Sequence, residues 1–580
     1  MWSKSAQFCL PRLKLGKHRT NTRCVRQVQS ASYLHNPGSE PLTIATLGDV
    51  ISESAHKHPG RVAIRSIHEN INMTYEELLT RADALGCAFR DQGLVKGDRV
   101  GVWSHNSSAW VVTVLAAARA GLISVLLNPV YTKHEIQFCL KKTKAKSLLI
   151  GENLPNRSYY DILETLAPEL NAATPGQLKS ELLPDLTSVI SVGKEKLNGT
   201  FAYNSLIQDY KNRSEISQYG SEVKPDEGCM LLLTSGTTGE PKAALDSHSS
   251  IVNNTYFSGK RLLFNEGHQN VCVQAPLFHA LGAIVTAISA LRHGCTMVLA
   301  SPTYDVTANI NALLAEKCTV FTGTPTMYVD MLARLRNVGD VQSHLKIALA
   351  AGSPCSPQLI RDMNRVLKAD VKALYGLSET TACVFQSKLS DDVDKVAETV
   401  GYITDHIELK VVDGNGGSVP FGCAGELMVR GYSTMMCYYN EPEKTRKAFD
   451  NDGWLYTGDK FTISEDGYGR VVGRLKDIIV RGGENIAPKE IEDLLNTHLD
   501  IIDNQVIGLS DERLGEELCV VVRLHKDAKF TIEDVTKHLS GRLAKFKIPR
   551  IMRVIEEFPK TASGKVQKYR LKEMIEAGEL

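Results

Sequence analysis

The sequence predicts an α/β fold: a large amino-terminal domain of layered α/β sheets over residues 40–475, then a small, mobile α+β domain over 476–580. Three observations point there. From Pro41 onward, short apolar or β-branched runs alternate with amphipathic helical stretches, the pattern of helix-covered sheets. The nine residues Thr234–Lys242 (TSGTTGEPK) follow the apolar run Met230–Leu233, so a hydroxyl-rich, glycine-containing loop leaves the end of a buried strand. Near Lys476 the texture changes to short helices and one β-branched strand with a basic tail, as in a separate domain of about a hundred residues. A chain of 580 residues also exceeds what one ordinary core supports.

The first 39 residues carry Lys4, Arg12, Lys14, Lys17, Arg19, Arg23 and Arg26, and the first acid is Glu40. Without a long apolar core they are not a secretory signal. Their basic, acid-free, serine-containing composition is that of a mitochondrial transit peptide, and a disordered basic tail is the other reading. The expected location is the mitochondrial matrix.

Thr74 and Glu77 form a capping box, after which Leu78, Ala82, Leu85 and Phe89 share a helical face until Gly93. Arg99–Trp103 is expected as a strand, Ser108–Ala120 as a helix and Ile123–Leu127 as a strand. Prolines 155, 168, 175, 184 and 225 break up residues 151–226, which read as surface helices and loops. Trp110–Val130 contains Arg119 and Gly121, and Ala280–Ala300 contains Arg292, His293 and Gly294, so each is a helix, turn and strand and neither is a transmembrane segment. In the last domain Pro488–Leu495 and Thr531–Leu539 read as helices and Leu518–Leu524 as a strand.

Composition narrows the function. The net charge of +1 comes from 67 bases and 66 acids, so nothing global attracts nucleic acid or an anionic membrane. The 13 cysteines are scattered with no Cys-x-x-Cys pair, and no His-Glu-x-x-His occurs, which suits a reducing compartment and no structural zinc.

The loop Thr234–Lys242 reads as a phosphate cradle: Thr234, Ser235, Thr237 and Thr238 supply hydroxyls, Gly236 and Gly239 admit backbone amides to an anion, Glu240 and Pro241 lead to Lys242, and Lys242 adds a charge. It is not the common nucleotide loop, which requires Gly-Lys-Ser/Thr at its end. Further on come Ala351–Pro354 (AGSP), Tyr375–Thr380 (YGLSET), Trp454–Asp459 (WLYTGD), Gly473–Glu484 (GRLKDIIVRGGE) and Pro559–Lys568 (PKTASGKVQK).

These motifs, in this order and spacing from about Pro41 to the carboxyl end, resemble the adenylate-forming superfamily of acyl-CoA synthetases, luciferases and adenylation domains. The resemblance implies ATP, Mg2+ and coenzyme A, a fatty acid of medium chain length as substrate, and an acyl-AMP intermediate. It implies that the loop from Thr234 to Lys242 holds the β- and γ-phosphates, that Glu379 is the Mg2+-associated acid, and that Ser378 touches the α-phosphate. Gly352, Ser353, Tyr375 and Gly376 would line adenine and the acyl group. Asp459 would accept from both ribose hydroxyls, with Arg474 beside it, and Lys565 would bridge the carboxylate and the α-phosphate. Lys476 occupies the hinge position, about which Arg481, Gly482 and Gly483 would replace Lys565 for thioester formation.

The resemblance implies that Phe278 and His279 fall at the mouth of the acyl pocket, and a packed histidine without such a role is the other reading of His279. No acid occurs between Glu266 and Asp305, so a substrate ammonium would be left unpaired and an apolar acid fits better. Pro241-Lys242-Ala243 departs from the family's Pro-Lys-Gly. Two other readings of the same motifs remain: an acyl-AMP ligase that loads a carrier protein, and a non-catalytic acyl- or nucleotide-binding protein. Lys565, Glu379 and Lys242 are the candidate catalytic residues of either ligase.

Overall fold

In the computed structural model, residues 31–234, 241–335, 343–482, 484–561 and 564–580 are described. Two large sheets form the bulk of the chain. Six parallel strands lie at the heart of each: Val62–Ser66, Thr296–Leu299, Asn270–Val273, Val320–Gly323, Ile347–Ala351 and Asp370–Tyr375 in the nine-stranded sheet, and Gly228–Thr234, Ile123–Leu127, Arg99–Trp103, Ala145–Ile150, Ser188–Ser191 and Phe201–Ala202 in the eight-stranded one. Both have antiparallel strands at an edge. Because the central strands are covered on both faces, they read as continuous apolar runs: Ile347–Ala351 and Ile123–Leu127 are buried throughout.

The helix Tyr75–Asp91 starts at the expected capping box, with Thr74 and Glu77 each bonding the other's backbone amide. Its apolar stripe packs with Ser108–Arg119 between the two large sheets, in a core that includes Trp110, Leu85 and Ile284. Helix Pro325–Leu335 lies over the other face of the nine-stranded sheet, where Tyr328 bonds the carbonyls of Phe321 and Leu349.

Two expectations need correction. Within residues 151–226, Ser188–Ser191 and Phe201–Ala202 are not surface loop but strands that extend the eight-stranded sheet. Ser188, Val189, Ile190 and Ser191 are all buried, and the flanking prolines mark only the turns around them. The folded body also begins before residue 40: Tyr33–Asn36, inside the expected leader, pairs with Ile407–Lys410 at the edge of a five-stranded antiparallel sheet. Tyr33 fixes that edge with a hydrogen bond to Glu408 and an edge-on contact with Trp454. The first 30 residues of the leader lie outside the described residues.

The five-stranded antiparallel sheet ends at Gly469–Arg474, and a short turn, Leu475–Asp477, carries the exposed Lys476 to the last sheet. That sheet has its own core of Ile479, Ile486, Leu518, Val520, Val535 and Leu539. Helices Pro488–Leu495 and Ile532–Leu539 pack there, the second capped by Thr531. Among the described residues no helix is long and apolar enough to cross a membrane.

Candidate active site

The site lies at the carboxyl ends of neighbouring parallel strands, where backbone leaves the sheet and side chains can face a ligand. Strand Ile347–Ala351 delivers Gly352 and Ser353, and its neighbour Asp370–Tyr375 delivers Tyr375 and Gly376. After Gly376 the chain folds back on itself through Ser378–Thr380. A Cβ at position 376 would lie 1.9 Å from the Ala382 carbonyl oxygen, so only glycine fits. Thr381 and Ala382 take positive φ of 47° and 86°, a conformation that non-glycine residues adopt at a cost.

This turn joins the two large sheets. The backbone carbonyl of Glu379 accepts the Met435 amide, and its carboxylate accepts the Tyr438 phenol at 2.8 Å. Tyr438 belongs to the edge strand beside Lys242–Ser247, and the Lys242 ammonium lies 4.7 Å from the centre of its ring. Thr234 and Lys242, the two ends of the predicted cradle, are direct antiparallel partners. Pro241 is buried beside them. Ser235, Gly236, Thr237, Thr238, Gly239 and Glu240 lie outside the described residues, as does Gly483.

Asp459 is 2 % exposed on strand Leu455–Ile463. Tyr375 donates to its Oδ2 at 2.6 Å, and Arg474 Nε lies 2.8 Å from Oδ1. Burial pushes this carboxyl's pKa up, and Arg474 and then Tyr375 oppose the rise. The acid is thus pinned on one side while Arg474 remains partly exposed toward the cleft.

Lys565 arrives from the small carboxyl-terminal body. It is solvent-exposed, yet neighbouring protein acts on its charge: burial lowers its pKa, Arg474 adds to that, and Glu379 and Asp459 pull the other way. The structure therefore brings Lys565, Glu379, Asp459 and Arg474 into one electrostatic neighbourhood. His279 joins it, its pKa lowered to about 3 by burial and then by the Lys565 charge, so its imidazole is neutral. Phe278 lies against it with ring centres 4.5 Å apart.

Beyond His279 the chain enters a π-helix, Leu281–Ile288, a rare winding that is frequent at functional sites. Its Gly282, Ala283, Ile284 and Val285 are buried, which gives an apolar wall next to the cluster. The sequence showed an apolar stretch here, but nothing in its period marks π winding.

Other expected residues stand apart. Arg481 does not face the cleft: it is buried in the small body, paired with Glu517 at 2.6 Å and donating to the Phe546 carbonyl. Gly482 is exposed next to it, in a left-handed turn. Lys476 stands in the turn between the two bodies.

Sequence reasoning missed three contributors: Tyr438, Thr326, whose hydroxyl donates to the Gly564 carbonyl across the cleft, and Asp246. Asp246 is fully buried and accepts from Thr381 at 2.8 Å, so it holds the Glu379 turn from beneath, and burial raises its pKa well above the ordinary carboxylate value.

The residues present suit a magnesium ion. Mg2+ uses one or two carboxylates together with phosphate and water, and Glu379 offers one oriented carboxylate beside the predicted phosphate loop. Among the described residues no group of three or more His, Cys, Asp or Glu forms an all-protein metal cage.

Comparison with known proteins gives a consistent result. Residues 51–439 match the AMP-binding enzyme family, and residues 490–565 match the AMP-binding enzyme C-terminal domain. The chain is 36 % identical over 552 residues to the mitochondrial medium-chain acyl-CoA ligase ACSF2 of Danio rerio, covering 94 % of this chain and 91 % of that protein. It is 37 % identical over 557 residues to the protein of the same name from Homo sapiens, covering 94 % and 90 %. Among solved structures, ATP-bound MatB from Rhodopseudomonas palustris superposes with a TM-score of 0.79 at 26 % identity, covering 92 % of this chain and 99 % of that one.

Proposed function

The chain belongs to the AMP-binding enzyme family, and from that premise we propose that it is an AMP-forming acyl-CoA ligase for medium-chain fatty acids. The observation that carries this reading is the arrival of Lys565, from one body, among Glu379, Asp459 and Arg474 of the other. An anion-activating reaction needs positive charge where two negative groups must meet.

In the first half-reaction a fatty-acid carboxylate oxygen attacks the α-phosphorus of ATP, the bond from that phosphorus to the bridging oxygen breaks, and pyrophosphate leaves. Lys565 bridges carboxylate and α-phosphate. Burial and Arg474 lower its pKa, and two anions beside it would favour the charged form. Thr234 to Lys242 hold the outgoing phosphates and Ser378 the α-phosphate, while Gly352, Ser353 and Gly376 leave room for adenine. Asp459, fixed by Tyr375, accepts from the ribose. Glu379, oriented by Tyr438, would hold Mg2+, which supplies charge neutralisation to the phosphates.

In the second half-reaction the thiol sulfur of coenzyme A attacks the acyl carbon, the carbon–oxygen bond to AMP breaks and AMP leaves. Lys565 must withdraw first, by a swivel of residues 476–580 against 40–475 about Lys476. Gly482 and Gly483 then present a passage without side chains to the pantetheine arm. The neutral His279, Phe278 and the apolar wall of Leu281–Ile288 favour an uncharged acyl chain.

The relatives' names support a mitochondrial location, and we place the enzyme in the matrix. Because Tyr33–Asn36 is a sheet strand, the processed amino terminus should lie upstream of residue 31. The test is AMP release across straight-chain carboxylic acids of increasing length, with and without coenzyme A. Release that peaks at medium chains and requires coenzyme A supports the reading. Turnover that ignores coenzyme A and needs a carrier protein's phosphopantetheine would reject it.

A further inference from the structure

The loop that carries Lys565 is held from both sides. Within the small body it is a closed turn: Thr561 accepts the Gly564 amide at 2.8 Å and donates its own amide to the Lys565 carbonyl at 2.7 Å, its hydroxyl accepts the Lys565 amide at 3.1 Å, and Lys560 bridges Val566 below. The backbone of Gly564 and Lys565 is therefore tied to Thr561, and a hold on Gly564 is a hold on the base of the Lys565 side chain.

The large body grips the Gly564 carbonyl. The Thr326 hydroxyl, in the first turn of helix Pro325–Leu335, donates to Gly564 O at 3.2 Å. Gly564 takes φ +83°, and a Cβ there would come within 3.2 Å of Thr324 Oγ1, so a side chain would both strain the backbone and crowd the residue that leads into the helix. Thr324 is 3 % exposed, and its hydroxyl has no partner among the described residues. One turn further along the helix lies the half-buried Asp330: burial pushes its carboxyl pKa up, and the Lys560 and Arg523 charges of the small body pull it back down.

We propose that this face of helix Pro325–Leu335 is a docking surface for the adenylating arrangement alone, in which the Thr326 hydroxyl fastens the Gly564 carbonyl and the Asp330 carboxylate draws in Lys560 and Arg523. The inference rests on the acyl-adenylate reading given above. Thr326 and Asp330 touch no reacting atom and are positioning residues. Withdrawal of Lys565 for the second half-reaction breaks the hydrogen bond and separates the charges, so the contacts favour one half-reaction and oppose departure to the other. A contact that stabilises only one of two states shifts their populations by its own free energy.

The test compares full-length wild type with Thr326→Val, Thr326→Ser and Asp330→Asn in two assays: octanoate-dependent ATP–pyrophosphate exchange, and thioester formation from supplied octanoyl-AMP and coenzyme A. Thr326→Val is expected to slow exchange about three- to tenfold, the cost of one such hydrogen bond, and to leave thioester formation at the wild-type rate or faster. Thr326→Ser, which keeps the hydroxyl, is expected to restore exchange. Asp330→Asn is expected to show the same split and a weaker loss of exchange with added salt than wild type, because salt screens the attraction between a half-buried carboxylate and the small body's Lys560 and Arg523.

Equal losses in both assays would assign Thr326 a merely structural role and overturn the proposal, as would unchanged exchange in Thr326→Val or failure of Thr326→Ser to rescue it. Wild-type protein that shows no exchange with any carboxylate would instead overturn the adenylate reading itself. Intact thioester formation in the same Thr326→Val preparation shows that the variant is folded.

Discussion

Tyr375 donates a 2.6 Å hydrogen bond to Asp459 across two different sheets. Tyr375 ends a parallel strand of the nine-stranded sheet, and Asp459 lies on an antiparallel strand of the five-stranded one. Tyr375 and Phe461 are also in ring contact, at 5.1 Å between centres, so the bond rests on an apolar seam between the sheets. The carboxylate is thereby oriented before any ligand arrives, and its second oxygen is set against Arg474. Preorganised acceptors of this kind spend little of their interaction energy on reorganisation.

Asp459→Asn should therefore raise the KM for ATP. The amide loses the ion pair with Arg474 and can accept from a ribose hydroxyl with one oxygen only. A hydrogen bond to a charged group contributes about 1.5–3 kcal/mol, which corresponds to roughly a 10- to 100-fold increase. Initial rates of exchange against ATP concentration would measure it, and an unchanged KM would remove Asp459 from the nucleotide site.

Tyr438 makes a second prediction because its phenol is the side-chain partner that orients Glu379. In Tyr438→Phe the carboxylate keeps its charge and loses its alignment. The Mg2+ concentration giving half-maximal exchange should rise about three- to tenfold, while the KM for the fatty acid stays within about twofold. An equal rise in both would mean that Tyr438 supports the site as a whole.

Lys565→Ala tests the central assignment. Removing the ammonium leaves carboxylate and α-phosphate to repel each other, so exchange should fall by at least about a hundredfold. Thioester formation from supplied acyl-AMP should persist, because that step takes place with Lys565 withdrawn. Loss of both, or of neither, would contradict the two-arrangement scheme.

Much of the fold was legible because its signals are local. The Thr74–Glu77 capping box, the strand Arg99–Trp103 and the helix Pro488–Leu495 are set by residues within one or two turns, and all three form as expected. Ser188–Ser191 was hidden because four buried residues shortly after Pro184 carry no periodicity, and only pairing with Ala145–Ile150 makes them a strand. Candidate residues could be named from motifs, but their partners could not. Tyr438 lies 59 residues from Glu379, and Thr326 lies 238 residues from Gly564. Such pairs follow from how sheets and bodies stack, which no single segment encodes. Arg481 likewise has a partner no motif shows: the buried Glu517 holds its side chain within the small body while Lys565 occupies the cleft.

His248 links the fold to pH. It is 1 % exposed at the start of helix His248–Lys260, and its Nδ1 accepts the Leu47 amide at 3.2 Å, so the ring proton is on Nε2 and the imidazole is neutral. Burial lowers its pKa to about 4, against about 6.5 in an unfolded chain. A depressed folded-state pKa means that the unfolded chain takes up the proton first. The stabilisation is complete above pH 6.5 and is lost as pH falls toward and through 4. The gap corresponds to about 3 kcal/mol, of which about 2 kcal/mol is gone by pH 5. His105 and His293, also lowered to about 4 mainly by burial, act in the same direction. The urea midpoint of the wild type should therefore fall between pH 7.5 and pH 5. In His248→Asn, whose side-chain oxygen can still accept from Leu47 but does not titrate, the fall should be shallower by about the His248 share. A variant with the wild-type slope would show that the buried imidazole is not what couples this fold to acid.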